Sequence, residues 1–136
     1  MCTEIINGLY ISGYRSAFDD KLLKELGITH IINCSGLRNA FPEQFQYLRI
    51  DISDDKDEDI KKYFNKSAKF ITNAFVNRGK VLVHCVAGKS RSVSIVVSFL
   101  CKKRRYTLKD ALEFVSKRRR IDINEGFHSQ LINTYL

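Results

Sequence analysis

The stretch "VLVHCVAGKSRSVS" (residues 81–94) sets a greasy run against a second one, with a polar seam between them. Val81, Leu82 and Val83 suit a short strand at the centre of a sheet covered on both faces. From Arg91 the chain continues as "RSVSIVVSFLCKKRR" (91–105), in which Val93, Ile95, Val96 and Val97 are strand formers by propensity. Taken alone that run is ambiguous. Its length, the glycine loop before it and its basic end favour a buried helix, apolar nearly all round.

Strand, glycine turn and helix start together make an anion trap, because the loop amides and the helix N-terminus aim their N–H groups at one spot. Cys85 stands where the strand ends. A free thiol titrates near pH ~8.5, and amides, a helix dipole and a guanidinium lower such a value to about 3.5–7.5. In that setting Cys85 is a ready nucleophile. Arg91 falls in the helix's first turn, where its planar fork can hold two phosphate oxygens and the charge of a trigonal-bipyramidal transition state. Ser92 is placed to hydrogen-bond the thiolate and help it leave when a phosphocysteine is hydrolysed. Gly88 lets the loop curl around an anion with no Cβ in the way. A buried structural cysteine is the bland alternative for Cys85 alone, and its polar company argues against it.

Outward from the seam, strands and helices alternate. "EIINGLYIS" (4–12) reads as a strand pair or a bent strand around Gly8. "SAFDDKLLKELG" (16–27) reads as a helix with Ser16 as N-cap, Asp19 in the capping-box position and Gly27 past its end. "ITHIINCS" (28–35) suits a buried strand, and "FQYLRIDIS" (45–53) alternates Leu48, Ile50 and Ile52 with Arg49, Asp51 and Ser53 as a strand does. "DEDIKKYFNKSAKFITNAFVNRG" (57–79) carries Ile60, Phe64, Ala68, Ile71 and Phe75 at helical spacing, with acidic residues at its start. "TLKDALEFVSKRRR" (107–120) has Thr107 as N-cap, and "NEGFHSQLINTYL" (124–136) turns Phe127, Leu131 and Tyr135 inward as a last helix. The alternation implies an α/β sheet with helices on both faces.

Composition bounds the reading. At 136 residues, 44% hydrophobic and 28% charged, the chain is one globular domain, residues 1–136. The apolar run from Val93 to Cys101 is too short to cross a bilayer, and the N-terminus carries no signal core, so no stable membrane insertion is expected. Cys2, Cys34, Cys85 and Cys101 are then free thiols in a reducing compartment. None forms a C-x-x-C pair, so neither a metal site nor a cofactor is expected. A net charge of +8 favours anionic partners without choosing among them. The runs "KKRR" (102–105) and "KRRR" (117–120) are either helix-closing cations or import and nucleic-acid patches.

"HCVAGKSRS" (84–92) matches H-C-x-x-G-x-x-R-S/T, the phosphate-binding loop of cysteine-dependent protein tyrosine phosphatases, and resembles their dual-specificity branch in particular. The resemblance extends to "GLYISG" (8–13), "LGITHIINCS" (26–35), "YLRIDISD" (47–54) and "RRRIDINEGFHSQL" (118–131), with Arg119 and Ile123 where the family usually carries prolines. That departure bears on backbone stiffness and is not expected to touch the chemistry. The resemblance implies a protein tyrosine phosphatase-like α/β fold with a mixed, largely parallel sheet of about five strands. It makes Cys85 the nucleophile, Arg91 the phosphate clamp, Ser92 the helper of the leaving thiolate and His84 the group that orients the loop and tunes the thiolate. Val86, Ala87, Gly88, Lys89, Ser90 and Arg91 would bind the substrate phosphate.

The family's general acid falls two residues beyond Ile52, at Asp54, with Asp51, Asp55 and Asp57 as competitors. The shortness of the chain implies a shallow pocket that admits phosphoserine and phosphothreonine as well as phosphotyrosine, on phosphorylated proteins. Phosphoinositide is the alternative substrate, raised by Lys89, although Lys89 could equally face solvent. No nucleic-acid partner is expected, since the loop lacks the Arg-Thr-Gly ending of RNA triphosphatases. A non-catalytic phosphate-binding module is the remaining reading. Cys34 is either a buried structural thiol or, as cysteines elsewhere in this family, a disulfide partner for an oxidised Cys85. A cytoplasmic monomer, with a nuclear share, completes the expectation.

Overall fold

In a computed structural model describing residues 1–136, the apolar triplet becomes strand β5 (Val81–His84), the middle strand of a five-stranded sheet. The others are β1 (Cys2–Ile6), β2 (Leu9–Ser12), β3 (His30–Asn33) and β4 (Gln46–Arg49), in the order β1-β2-β5-β3-β4. β5 runs parallel to both neighbours, β3 and β4 are parallel, and only β1 and β2 pair antiparallel, about a turn that holds Gly8 at a φ of 86°. A parallel strand buried on both faces needs apolar residues at every position, and Val81, Leu82 and Val83 are all fully buried.

The period-2 alternation of β5 divides the molecule into layers. Val81 and Val83 face one side, where Leu9, Ile11 and Ile32 meet α3 (Phe64–Val76), α4 (Arg91–Lys103), α5 (Leu108–Ser116) and α6 (Glu125–Tyr135). Leu82 faces the other, with Tyr10 and Ile31, against Ala17 of α1 (Tyr14–Ala17) and Leu23 of α2 (Asp20–Leu26). Every residue of α4 from Arg91 to Leu100 is buried, so "RSVSIVVSFL" is the central helix and its β-branched residues are overruled by tertiary packing. Its buried serines find partners: Ser94 Oγ donates to the Ser90 carbonyl one turn back, and Ser98 shares a hydrogen bond with the Tyr135 hydroxyl of α6. No helix is long and apolar enough to cross a membrane.

Three expectations change. Ser16 is not an N-cap: it lies buried within α1, whose end at Phe18 is followed by a new start at Asp19, and the Asp19 carboxylate accepts from Leu22 N to cap α2. The alternation through Ile52 outlasts its strand: β4 ends at Arg49, Ile50 N still donates to Asn33 O at the end of β3, and Ile50 and Ile52 stay buried beyond the ladder. The helix expected from residue 57 begins at Phe64, after a 3-10 turn over Lys61–Tyr63. Its acidic prelude serves other segments instead: Glu58 accepts from Ser53 N in the preceding loop, and Asp59 accepts from Lys62 N of the 3-10 turn.

His84 ends β5 at 2% exposure. Burial pushes its imidazole down to about 4 from 6.5, opposed by a bond to the Cys85 carbonyl and reinforced by Arg91. The folded chain therefore takes this proton at lower pH than the unfolded chain, and stability falls as pH drops from 6.5 through 4. The full effect is about 3 kcal/mol. Denaturant unfolding at pH 7 and pH 4.5 should show wild type losing about 2–3 kcal/mol more than His84→Gln across that interval. Phe127 is the largest fully buried side chain and seats α6 in the core. Phe127→Ala should cost about 3–5 kcal/mol in the same measurement at pH 7.

Candidate active site

The loop from Cys85 to Ser90 joins β5 to α4 at the edge of the sheet where the parallel strands end. Its carbonyls are all taken from outside. Tyr14 N donates to Val86 O at 3.0 Å, Arg119 Nη2 to Ala87 O at 3.4 Å, Arg119 Nε to Gly88 O at 2.7 Å, and Asp122 N to Lys89 O at 3.0 Å. A trans peptide points its N–H opposite its C=O, so the amides of Ala87, Gly88, Lys89 and Ser90 are turned to the inner side. Gly88 N donates to Cys85 Sγ at 3.2 Å, while the N–H groups of Val86, Ala87, Lys89, Ser90, Arg91 and Ser92 donate to no group of the protein. Unpaired amides converging beside the N-terminus of a 13-residue helix form a site for an anion. Gly88 has a φ of 70°, and a Cβ there would stand 2.8 Å from the Ser12 carbonyl and collide with Arg119.

Cys85 is 2% exposed, and Ser92 Oγ lies 3.2 Å from its sulfur, so the Ser92 hydroxyl and the Gly88 amide can both donate to a thiolate. Arg91 is buried, and its Nη1 donates to the Ile52 carbonyl at 3.1 Å. Its Nε has no partner. A buried guanidinium N–H without an acceptor is costly, and phosphate oxygens seated in the loop would satisfy it. The same anchor ties α4 to Ile52, two residues before Asp54.

Asp54 is exposed on the loop after β4, and Asn124 Nδ2 donates to its Oδ1 at 2.8 Å. Asn124 also caps α6, its Oδ1 accepting from Phe127 N, and its backbone N–H donates to Ser90 Oγ at 3.1 Å. One residue thus joins the acid candidate, the anion loop and a helix start. The rest of the acidic loop is fastened to α6 by Gln130, which accepts from Lys61 N and donates to the Glu58 carbonyl. Of the competitors, Asp51 is held by Arg49 at 2.7 Å and Asp55 closes a turn by accepting from Asp57 N. Asp57 is exposed, and its carboxylate forms no ion pair.

His84 is neutral by burial, so it reaches the loop through the Cys85 carbonyl, 3.4 Å from its Nδ1, rather than through a positive charge. Lys89 is exposed and shares a 270 Å³ hollow with Arg118, Arg119, Arg120, Thr3 and Met1, beside the loop rather than inside it. Cys34 continues β3 one step past the Asn33–His84 pairing, donates its N–H to the His84 carbonyl and is fully buried with a free thiol. Burial, with Cys85 adding to it, pushes that thiol up. Two residues were missed from the sequence. Asn124 received no role within its helical segment, and Arg119 stood as a basic residue in place of a proline. The residue at 119 reaches further than backbone stiffness, since Arg119 donates to two carbonyls of the loop.

The chain is similar to known proteins over nearly its whole length. Residues 9–135 match the family described as "Dual specificity phosphatase, catalytic domain". Dual specificity protein phosphatase 1 of Arabidopsis thaliana is 41% identical over 129 residues, covering 93% of this chain and 65% of that protein. The MAP kinase phosphatase with leucine-rich repeats protein 3 of Dictyostelium discoideum is 42% identical over 96% of this chain and 15% of its own length. The chain thus spans less than two thirds of either relative. Among solved structures, the human tyrosine phosphatase-like serine/threonine/tyrosine-interacting protein superposes with a TM-score of 0.92 at 36% identity, covering 98% of this chain and 94% of that one. With nearly its whole length matched and the anion loop intact, the chain belongs to the dual specificity phosphatase catalytic domain family.

Proposed function

We propose that the chain hydrolyses phosphate monoesters on tyrosine, serine and threonine side chains of proteins through a phosphocysteine intermediate. The observation that carries this is the convergence on Cys85 of the Ser92 hydroxyl and the Gly88 amide, in a loop where the amides of Val86, Ala87, Lys89 and Ser90 and Arg91 Nε are unpaired.

In the first step the Cys85 thiolate attacks phosphorus. An S–P bond forms as the ester O–P bond breaks, and Asp54 gives a proton to the departing oxygen. The loop amides and Arg91 hold the equatorial oxygens, whose charge is greatest at the transition state. In the second step water attacks phosphorus, Asp54 takes its proton back, the S–P bond breaks and Ser92 donates to the leaving thiolate. Inorganic phosphate is released. Asn124 occupies Oδ1 of Asp54 as a donor, which leaves Oδ2 to carry the transferred proton.

Protein substrates are favoured because the relatives are named as protein phosphatases and because Lys89 lies beside the loop. A cytoplasmic monomer with a nuclear share fits a nucleophile that works as a free thiol.

Hydrolysis of a small aryl phosphate should fall on the order of 10³-fold or more in Cys85→Ser. Equal rates would remove the catalytic reading. Wild type should turn over phosphopeptides faster than short-chain phosphoinositides, and the reverse order would move the substrate to lipid. Asn124→Ser keeps a good N-cap but removes the bond to Asp54. It should leave unfolding unchanged while lowering kcat about tenfold on an alkyl phosphate, a fraction of the 10²–10⁴ that general acid catalysis supplies. An aryl ester with a good leaving group, which needs little protonation, should be much less affected.

A further inference from the structure

Arg119 is a half-buried guanidinium to which no carboxylate is bonded. Its N–H groups go instead to oxygens from three segments: Met1 O at 2.8 Å, Thr3 Oγ1 at 3.0 Å and Ile11 O at 3.5 Å on the hairpin, and Ala87 O and Gly88 O in the anion loop. An arginine taken out of water without a counter-ion is expensive to keep, so something must offset it. Burial lowers its pKa, and Cys85 is the first group that works the other way. The link is also geometric. The Ala87–Gly88 peptide has its carbonyl on Arg119 Nη2 and its N–H on Cys85 Sγ. One rigid plane therefore has the guanidinium at one end and the nucleophile at the other. The next peptide, Gly88–Lys89, has its carbonyl on Arg119 Nε, which fixes its N–H toward the phosphate position.

We propose that Arg119 is a positioning residue of the catalytic loop: it holds these two peptides with their N–H groups facing the phosphate, and polarises the amide that meets Cys85. This rests on the phosphatase reading above. Lysine, with one ammonium, cannot fork across both carbonyls. Arg120, its neighbour, carries the same charge, is exposed and touches no loop carbonyl, so it serves as the control for charge alone.

The test measures kcat on a small aryl phosphate and the affinity for orthovanadate, which seats in the same loop, for wild type, Arg119→Ala, Arg119→Lys and Arg120→Ala, each checked for folding by thermal unfolding. Removing one direct oxyanion donor costs about 10²–10³ in kcat, so setting two donors at one remove should be worth about 10–100-fold. Arg119→Ala is expected to lose about 10–100-fold in both quantities. Arg120→Ala should match wild type, and millimolar guanidinium ion should restore several-fold activity to Arg119→Ala alone. If Arg119→Ala does not fold, Arg119→Lys decides, with vanadate affinity expected to be weakened. Vanadate affinity and kcat within about twofold of wild type in a folded Arg119 variant, or an equal loss in Arg120→Ala, would overturn the proposal. Failure of wild type itself to hydrolyse the ester would instead overturn the phosphatase reading.

Discussion

A loop that offers a ring of N–H groups to an anion must put its carbonyls somewhere else, because each peptide is planar and its two polar ends point apart. Here neighbouring segments of the protein, rather than water, take them. Four carbonyls in succession, from Val86 to Lys89, are received by Tyr14, Arg119 and Asp122. Much of the surrounding architecture follows from that need. The hairpin β1–β2 is brought against one side of the loop so closely that a Cβ at Gly13 would lie 2.7 Å from Val86 O. The connection from α5 to α6 is brought against the other.

The sheet supplies rigidity for this arrangement. β5 is hydrogen-bonded on both sides by parallel strands, and α4 behind it is buried over its first ten residues. Movement of Cys85 relative to Arg91 would require one of these two elements to shift within a close-packed core. Arg91 adds a cross-brace through the Ile52 carbonyl, which couples the nucleophile's helix to the segment that carries Asp54. Cys85 and Arg91, neighbours in one loop, and Asp54, from a distant stretch of chain, thus share a small number of anchors.

What could be read from the sequence was whatever depends on local order. The anion loop between β5 and α4, with Cys85 at the strand end and Arg91 at the helix start, and the caps at Thr107 and Gly27 are contiguous signals, and the structure has each position where its spacing implies. Long-range hydrogen bonding was not legible. Arg119 meets carbonyls 31 and 32 positions away, and Asn124 meets Asp54 70 positions away, with no periodicity to announce either pairing. Ser16 and Asp19 show the same limit at short range: both are good caps, and only packing against the sheet decides that Ser16 is buried and Asp19 takes the helix start.

The fastening of the acidic loop to α6 has a thermodynamic side. Asn124 and Gln130 grip that loop at three points, and a Cβ on Gly126 would collide with the Lys56 carbonyl. The conformational entropy of ordering this segment is then spent when α6 docks, during folding, and not when a substrate arrives. An anion entering the loop would meet a segment that is already ordered, so little of its binding free energy would go into ordering the protein.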